Sequence, residues 1–461
     1  ESFNLLDLPQ KSIVPLSHGP GGEAMTDVLV IGAGMNGLAA GFALRRLGIL
    51  NMRQIDSNQL GYAGPWRNYA RMELLRSGKK LTGPALGYSL LTPQAWWHAR
   101  FPDRSWEDID YLSRDEWAEY LDWYAKVTHA SVEFGTRATK INPCKDYVNV
   151  TIVDASGDQH KITVRQVILA NGREGLARQR CPTAFLKFIG DRRILHSSQV
   201  CDFRSMSGQE VAVVGLAASA FDNAAALAEA GAKVTLLGRA PHVPRLNKMK
   251  HTVTAGFAEG FPFLSDSQKL DWFRHITETR ISPPKHTVER VAGLGIELFT
   301  GIDINKIEET GTQLRLLANG FSQIFDRVIL ATGFSIDVGS NETLSGFSDE
   351  ILLWDDIMPP AVWHGELEEW RNFPYLSEGF GFKAKNQERA EALGRIRCFN
   401  HAAQLSLGNL ANDIPHASFG AERVARYVTA ALFVEDADTH FNSLLEYDDT
   451  ELKGTEWPGK L

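Results

Sequence analysis

The sequence predicts an α/β protein built on two copies of one β-α-β unit. Three observations support this prediction. A glycine-rich β-α-β pattern begins at Asp27, and a second begins at Glu210, 183 residues later (210 minus 27). Both halves then close in the same way, with an antiparallel hairpin followed by a short apolar strand that ends at a glycine. An internal repeat of this kind is typical of a chain that contains two related nucleotide-binding domains.

The first copy, residues 27–56, has the pattern of a nucleotide-binding turn. A Val-rich strand leads into Gly-Ala-Gly-Met-Asn-Gly, and a helix of small residues follows. The first glycine permits a tight turn, the second lets backbone N–H groups approach a pyrophosphate, and the third lets helix and strand touch. An acid at the end of the second strand accepts from ribose hydroxyls, so this copy suits FAD or NAD. Its predicted contact residues are Gly32, Gly34, Asn36, Gly37 and Asp56.

The second copy, residues 210–239, departs from the first at informative positions. Alanine stands where the second and third glycines of the first copy stand, and arginine replaces the acid. A guanidinium suits a 2′-phosphate, so we expect this copy to bind NADPH. The arginine could instead be a solvated loop residue. The predicted contact residues are Gly215, Ala217, Ser219, Ala220 and Arg239.

The closing segments of the two halves also match. Hairpins are predicted around residues 154–158 and around Asn319-Gly320. Each precedes a four-residue apolar strand and an A-x-G sequence, whose glycine we expect near a nucleotide. The predicted contact residues in these sequences are Gly172, Thr332 and Gly333.

Composition excludes several classes of function. The chain has 461 residues, which predicts two or three domains, and a net charge of −8 without basic runs, which argues against nucleic-acid binding. The four cysteines form no C-x-x-C pair, so a redox disulfide and a cysteine metal site are not expected. The apolar stretch 28–44 is interrupted by glycines, and no membrane span or secretory segment is predicted. We expect a cytoplasmic protein, and a homo-oligomer is left open.

Beyond the repeat, five segments resemble the class B flavoprotein monooxygenases, which include flavin-containing, N-hydroxylating and Baeyer–Villiger monooxygenases. Residues 64–66 resemble the G-G-x-W sequence, and residues 74–81 resemble the segment that passes over the flavin. Residues 116–124 resemble the helix before the hairpin. Residues 188–202 resemble the F-x-G-x-x-x-H linker, with two extra residues before His196, and residues 412–426 resemble the closing helix.

This resemblance implies a fold and a reaction. It implies two Rossmann-like dinucleotide-binding domains, with an NADPH domain (206–334) inserted into an FAD domain (1–205 and 335–461). Pro65 and Trp66 would contact FAD, and a small-molecule substrate and O2 would meet where the domains join. NADPH would reduce the flavin, and a C4a-(hydro)peroxyflavin would pass one oxygen atom to substrate and leave the other in water. N-oxygenation is favoured. Baeyer–Villiger oxidation, S-oxygenation and NADPH oxidase or flavin reductase activity without coupled oxygenation remain alternatives.

The predicted catalytic residues are Arg76 and Ser77, within the segment that resembles the flavin-covering one. A cation there would lower the pKa of a flavin hydroperoxide. It could instead hold a substrate carboxylate or a flavin phosphate, or form a structural ion pair. A disulfide reductase is disfavoured by the absence of C-x-x-C. A non-catalytic nucleotide-sensing flavoprotein is a further alternative.

Three other features are interpreted from the sequence. The tryptophan-rich stretch 96–123 is expected to pack in the core, or else to line the substrate site. His401 and His416 are expected near the flavin, either as buried hydrogen-bonded residues or as a base. Residues 257–280 read as a helical insertion, and residues 337–387 as excursions that cover the active site.

Overall fold

The fold comes from a computed structural model that describes residue 6 and residues 8–456. Its strands are β1 (Thr26–Ile31), β2 (Met52–Asp56), β3 (Val132–Phe134), β4 (Arg137–Pro143), β5 (Val148–Val153), β6 (Gln159–Leu169), β7 (Ala177–Gln179), β8 (Ile194–His196), β9 (Glu210–Val214), β10 (Lys233–Gly238), β11 (Glu297–Thr300), β12 (Lys306–Thr310), β13 (Gln313–Ala318), β14 (Phe321–Phe325), β15 (Arg327–Leu330), β16 (Phe334–Ile336) and β17 (Ile396–Arg397). Its α-helices are α1 (Met35–Arg46), α2 (Pro93–Arg100), α3 (Arg114–Val127), α4 (Ala218–Glu229), α5 (Ala255–Gly260), α6 (Asp266–Thr279), α7 (Lys285–Gly293), α8 (Trp354–Ile357), α9 (Ala390–Gly394), α10 (Gln404–Leu407), α11 (Ala417–Glu435) and α12 (Ala437–Glu446).

The first sheet has the strand order β3-β2-β1-β6-β5-β4, with β17 also paired to β6. Strands β1, β2 and β3 and the C-terminal half of β6 run parallel, whereas β4 and β5 are antiparallel. The predicted hairpin strand and the predicted A-x-G strand are one continuous strand, β6. Its first half pairs with β5 and its second half with β1, so a single strand joins the hairpin to the nucleotide-binding sheet.

The second sheet is parallel, with the order β11-β10-β9-β15-β8. The predicted second hairpin is confirmed as β13 and β14, which form an antiparallel sheet with β12. The buried faces of β1 and β9 are continuous runs of valine, leucine and alanine, as expected for parallel strands that are covered on both sides. The α/β class and the two Rossmann-like units are therefore as the sequence predicts.

The chain passes between the two sheets at β7 and β16, which pair with each other in antiparallel fashion. Strand β8 pairs with β15 in the second sheet although it precedes residue 206. By strand pairing, the residues of β8 therefore belong to the second sheet, whereas the sequence-based division places them in the FAD domain. The sequence pattern does not predict this pairing, because a strand of three residues is too short to show a periodicity.

Helices α5 and α6 confirm the predicted helical insertion, but they pack against the core of the first sheet's domain rather than the second. Phe261 and Phe273 are buried in that core, and the rings of Phe273 and Trp370 lie 5.0 Å apart. The tryptophans at 96, 97, 106 and 117 are buried in the same core, as the packing interpretation expected. Among the described residues, no helix is both long and apolar enough to cross a membrane.

Candidate active site

The first glycine turn lies at the carboxyl end of β1, where it meets the end of β6. Gly32 has φ +111°, and a Cβ atom there would overlap the carbonyl oxygen of Ala170. A Cβ on Gly37 would likewise overlap the Gly32 carbonyl oxygen. The turn therefore needs glycine at both positions, because β1, β6 and α1 approach one another closely there.

Helix α1 opens at this turn with Gly34 at its N-cap and without a side-chain cap or an acidic residue in its first turn. The Cα of Gly64 comes within 3.7 Å of the Cβ position of Gly34, so the segment that contains Pro65 and Trp66 passes directly over the helix start. Asn36 is oriented by a 2.7 Å bond from its Nδ2 to the carbonyl oxygen of Ala411. Uncapped N–H groups at a helix start suit the pyrophosphate that the sequence predicts here.

Asp56 ends β2 and is only 7% exposed. Its Oδ2 accepts from the Ala33 N–H at 2.7 Å, and its Oδ1 accepts from the N–H and side-chain amide of Asn58 at 2.8 and 3.0 Å. These bonds hold the carboxylate at the glycine turn and leave lone pairs for ribose hydroxyls. A cavity of about 410 Å³ adjoins Ala33, and its walls include Trp66. This geometry fits the adenosine half of a dinucleotide.

The second glycine turn is built in the same way at the end of β9. Gly215 has φ +145°, and a Cβ there would lie 2.5 Å from the carbonyl oxygen of Ala331. Ala217, the N-cap of α4, has ordinary extended dihedrals (φ −87°, ψ 171°), so its methyl group fits without backbone strain. Ala220 is fully buried against the strand. Ser219 lies within the first turn of α4, and Arg239 is exposed just after β10.

The second A-x-G sequence is bound to the crossing between the sheets. Thr332 donates through Oγ1 to the carbonyl oxygen of Arg180. The Gly333 carbonyl accepts from the Arg180 N–H and from His196 Nε2, both at 2.9 Å. Burial lowers the pKa of His196, against the hydrogen bond to Gly333, so the linker histidine is a neutral donor that joins β8 to this sequence.

Gly172 and the neighbouring residues after β6 are exposed. Asn171 Oδ1 accepts from Asn400 Nδ2 at 2.9 Å, which brings His401 toward Arg173. The Arg173 side chain is exposed, but the surrounding protein still lowers its pKa. Desolvation is the larger cause, and repulsion from Arg76 is the second. The described residues include no ion-pair partner for it.

His401 is a strongly perturbed titratable group of this cluster. Burial, followed by the charge of Arg173, lowers its pKa to about 3, against a hydrogen bond to Asn412. The Nδ1 to Asn412 Oδ1 distance is 3.1 Å, so the neutral ring donates there and keeps Nε2 as an acceptor. Nearby, burial raises the pKa of Tyr69 well above its usual value, assisted by Glu174 and opposed by Arg173. The cluster thus contains one cation, one neutral base and one phenol.

Arg76, predicted as catalytic, forms an ion pair of 2.9 Å with Asp222 on α4. Its side chain is 43% exposed, and Ser77 beside it is half-buried. The structural ion pair that the sequence left open is therefore present, and its partner belongs to the second unit. A catalytic role for Arg76 and Ser77 stays a prediction.

His416 is distinct from His401. It is 1% exposed, with Nδ1 2.8 Å from Asp413 Oδ1 and Nε2 3.0 Å from the Thr252 carbonyl oxygen. Burial opposes charge on the ring, but Asp413 and Thr252 raise its pKa overall. His416 is thus a buried, fully bonded residue, one of the alternatives given above.

Sequence reasoning missed Arg173, Asp222 and Asn412. Arg173 directly follows Gly172, so its distance from the A-x-G sequence was a usable signal. Asp222 lies on a helix whose motif specifies only its first turn, and Asn412 is separated from His401 by 11 residues. No local pattern indicates the last two.

Comparison with known proteins extends these observations. A family model described as pyridine nucleotide-disulphide oxidoreductase matches residues 29–289. An FAD-dependent urate hydroxylase from Xanthomonas campestris pv. campestris is 30% identical over 444 residues, which cover 94% of this chain and 91% of that protein.

Solved structures show the same fold at lower identity. An ornithine hydroxylase from Pseudomonas aeruginosa is 16% identical with a TM-score of 0.67, covering 88% of this chain and all of that one. The L-lysine 6-monooxygenase from Pseudomonas syringae is 17% identical with a TM-score of 0.63, covering 88% of this chain and 99% of that one. These likenesses confirm the fold with two nucleotide-binding units.

Proposed function

Because this chain belongs to the pyridine nucleotide-disulphide oxidoreductase family, and within it to the class B flavoprotein monooxygenases, we propose that it oxygenates a small, anionic nitrogen heterocycle of the urate type. FAD and NADPH are its cofactors. When bound, the flavin accepts hydride from NADPH and supplies the reduced carrier that activates O2. The chain's own residues then bind and orient the substrate, exclude water, and donate or accept protons.

The observation that carries this proposal is the 30% identity to a urate hydroxylase over nearly the whole of both chains. The solved N-hydroxylases are 16 and 17% identical, which supports the fold but not the substrate. Lack of a C-x-x-C pair among the cysteines argues against disulfide reduction, in spite of the family's name.

The charges around Arg173 support an anionic substrate. Arg173 has no carboxylate partner among the described residues, and Arg76 is the charge that acts on it most strongly. A planar guanidinium pairs well with an anion whose charge is spread over neighbouring oxygen and nitrogen atoms. Neutral His401 offers Nε2 as an acceptor for a ring N–H of the same substrate. An aliphatic diamine would bring its own positive charge against Arg173.

N-oxygenation, which the sequence analysis favoured, is the second candidate. It rests on the imperfect linker sequence, which counts against Baeyer–Villiger oxidation, and it would use the same cofactors. S-oxygenation and NADPH oxidation without oxygen transfer remain further alternatives. Because an amine nucleophile must be uncharged to react, N-oxygenation predicts a steep increase of the rate with pH on an amine substrate.

Substrate choice separates these candidates. Purified FAD-loaded protein is given NADPH with urate, ornithine, lysine or no addition, while NADPH loss, H2O2 and isotope-labelled oxygen in product are followed. We expect urate to accelerate NADPH oxidation and to acquire one labelled oxygen atom. Labelled oxygen in the amines but not in urate would replace this proposal by N-oxygenation. H2O2 alone, with every compound, would indicate uncoupled oxidation.

The role of Arg173 is tested with Arg173→Met and Arg173→Lys. We expect Arg173→Met to raise the KM for urate by roughly tenfold or more, the ratio that corresponds to loss of one charge-assisted hydrogen bond. Lysine should restore part of the loss. Arg178→Met is the matched control, because that side chain is 69% exposed and its ion pair in the described part of the chain is with Asp337, at 3.4 Å. An unchanged KM for urate in Arg173→Met would refute the proposal that Arg173 binds an anionic substrate.

A further inference from the structure

Residues 74–81, which resemble the flavin-covering segment, and the three residues before them contact the second unit at three points. We name residues 71–81 the covering segment. The Arg71 guanidinium donates to the Cys201 carbonyl oxygen at 2.6 Å and lies 4.3 Å from the centre of the Phe203 ring. Glu73 lies 3.6 Å from Arg290 on α7. The third contact is the pair between Arg76 and Asp222 described above. Elsewhere the segment belongs to the first unit, where Leu75 is buried in the core.

Of the residues that make these three contacts, Asp222 has the most restrictive surroundings. Its side chain is 3% exposed, Oδ2 lies 2.9 Å from Arg76, and Oδ1 is buried without a hydrogen-bond partner in the described structure. A carboxylate withdrawn from water is strongly destabilising unless a cation compensates it. Two further titratable groups, His286 and Arg290, interact with it electrostatically from a distance. Only Arg76 bonds it directly among the described residues.

The same ion pair also determines where Arg76 lies. Arg173 repels the Arg76 guanidinium from the first unit, and Asp222 attracts it toward α4. Asp222 occurs one turn after the start of α4, the helix whose first turn is predicted to hold the NADPH pyrophosphate. One helix therefore carries both the nucleotide-binding turn and the carboxylate that holds the covering segment.

We propose that Asp222 is a positioning residue, and that its ion pair with Arg76 transmits nucleotide binding at α4 to the covering segment. When NADP⁺ fixes α4, Asp222 fixes Arg76 and thereby the covering segment. Without the Asp222 carboxylate, the position of Arg76 and its segment no longer depends on α4. The contact itself is independent of the substrate, but its consequence for oxygen transfer rests on the function proposed above.

Hydrogen–deuterium exchange of the FAD-loaded protein tests this directly, with NADP⁺ as the added probe. In the natural protein, we expect NADP⁺ to slow exchange in residues 71–81. In Asp222→Asn, which keeps the shape and removes the charge, we expect that protection to fall by roughly tenfold, as for loss of one charge-assisted hydrogen bond. Protection that persists unchanged in Asp222→Asn, or its absence in the natural protein, would overturn the proposal.

Further variants distinguish positioning from a folding defect. Arg76→Met should reproduce the effect, Arg76→Lys should recover part of it, and the double variant should be no worse than either single one. Additive losses would overturn the proposal. Arg76→Met leaves the buried Asp222 carboxylate without its cation, so the double variant, which leaves no unpaired charge, carries the test if Arg76→Met does not fold. Glu210→Gln is the control, because it removes a carboxylate that pairs with Lys233 at 3.1 Å, within the second unit.

A functional readout then follows. In Asp222→Asn we expect a smaller fraction of the oxidised NADPH to appear as product and a larger fraction as H2O2, with KM for the substrate little changed. If urate is not oxygenated by the natural protein while NADP⁺ still protects residues 71–81, the proposed substrate fails and the positioning role stands. If urate is oxygenated with equal coupling in all variants, the positioning role fails alone.

Discussion

Asp27 is the second residue of β1, and the fold compensates its buried carboxyl group poorly. It is 1% exposed, and neither carboxyl oxygen has a hydrogen-bond partner in the described structure. Arg165 Nη1 lies 3.6 Å away, but that guanidinium already bonds Glu435 and Asp436 at 3.0 and 2.8 Å. Burial, opposed by Arg165, raises the Asp27 pKa from 3.8 to about 6.

The size and sign of the consequence follow from linkage. A carboxyl group whose pKa is higher in the fold than in the unfolded chain favours folding only while it is protonated. The fold thus loses stability as pH rises from about 4 through about 6 and stays at the lower level above that. With 1.36 kcal/mol for each tenfold change in the ionisation constant, pKa values of 3.8 and about 6 differ by about 3 kcal/mol, an upper bound for Asp27.

Asp27→Asn removes the charge and keeps the size of the side chain. At about pH 8 we expect the variant to be more stable than the natural protein by up to about 3 kcal/mol, with the difference vanishing toward about pH 4. Urea unfolding of the two proteins, followed by tryptophan fluorescence at several pH values, measures the difference in their free energies of unfolding and how that difference changes with pH. Asp103→Asn, on an exposed loop, is the control. A variant that is no more stable at alkaline pH, or equally more stable at every pH, would refute the reasoning.

Three other predictions concern the site. Gly32→Ala should lose FAD, because its Cβ would overlap the Ala170 carbonyl oxygen. FAD per chain measures this, and Gly260→Ala, where nothing lies within 4 Å, should retain full loading. Arg239→Ala should raise KM for NADPH by roughly tenfold or more and leave KM for NADH nearly unchanged, and an unaltered preference would contradict the predicted contact between Arg239 and the 2′-phosphate. Since its pKa of about 3 keeps His401 neutral from mildly acidic pH upward, His401→Gln should leave the shape of the pH–rate profile between about pH 5 and 9 unchanged, and a lost inflection would show that His401 titrates there.

Much of the fold was predictable because its constraints are local. Glycine at 32 and 215 is required by turns whose dihedrals and close contacts exclude a Cβ, and the same turn chemistry recurs with the same spacing. The hairpins follow from alternating apolar residues and from turn residues between them. These signals lie within a few residues of one another, so the sequence displays them directly, and the comparisons agree with the family that they indicate.

The candidate site depends on contacts between distant parts of the chain. Arg76 and Asp222 are 146 residues apart, and Asn171 and Asn400 are 229 apart. No local periodicity records such a pair, so the sequence could name Arg76 but not its partner. The sequence by itself determined the two glycine turns, the hairpins and the class of cofactor, because each depends on neighbouring residues. Only the tertiary structure decided which sheet β8 joins, which core receives α5 and α6, and which charged residues lie near one another, because those outcomes depend on packing between segments that are far apart in the chain.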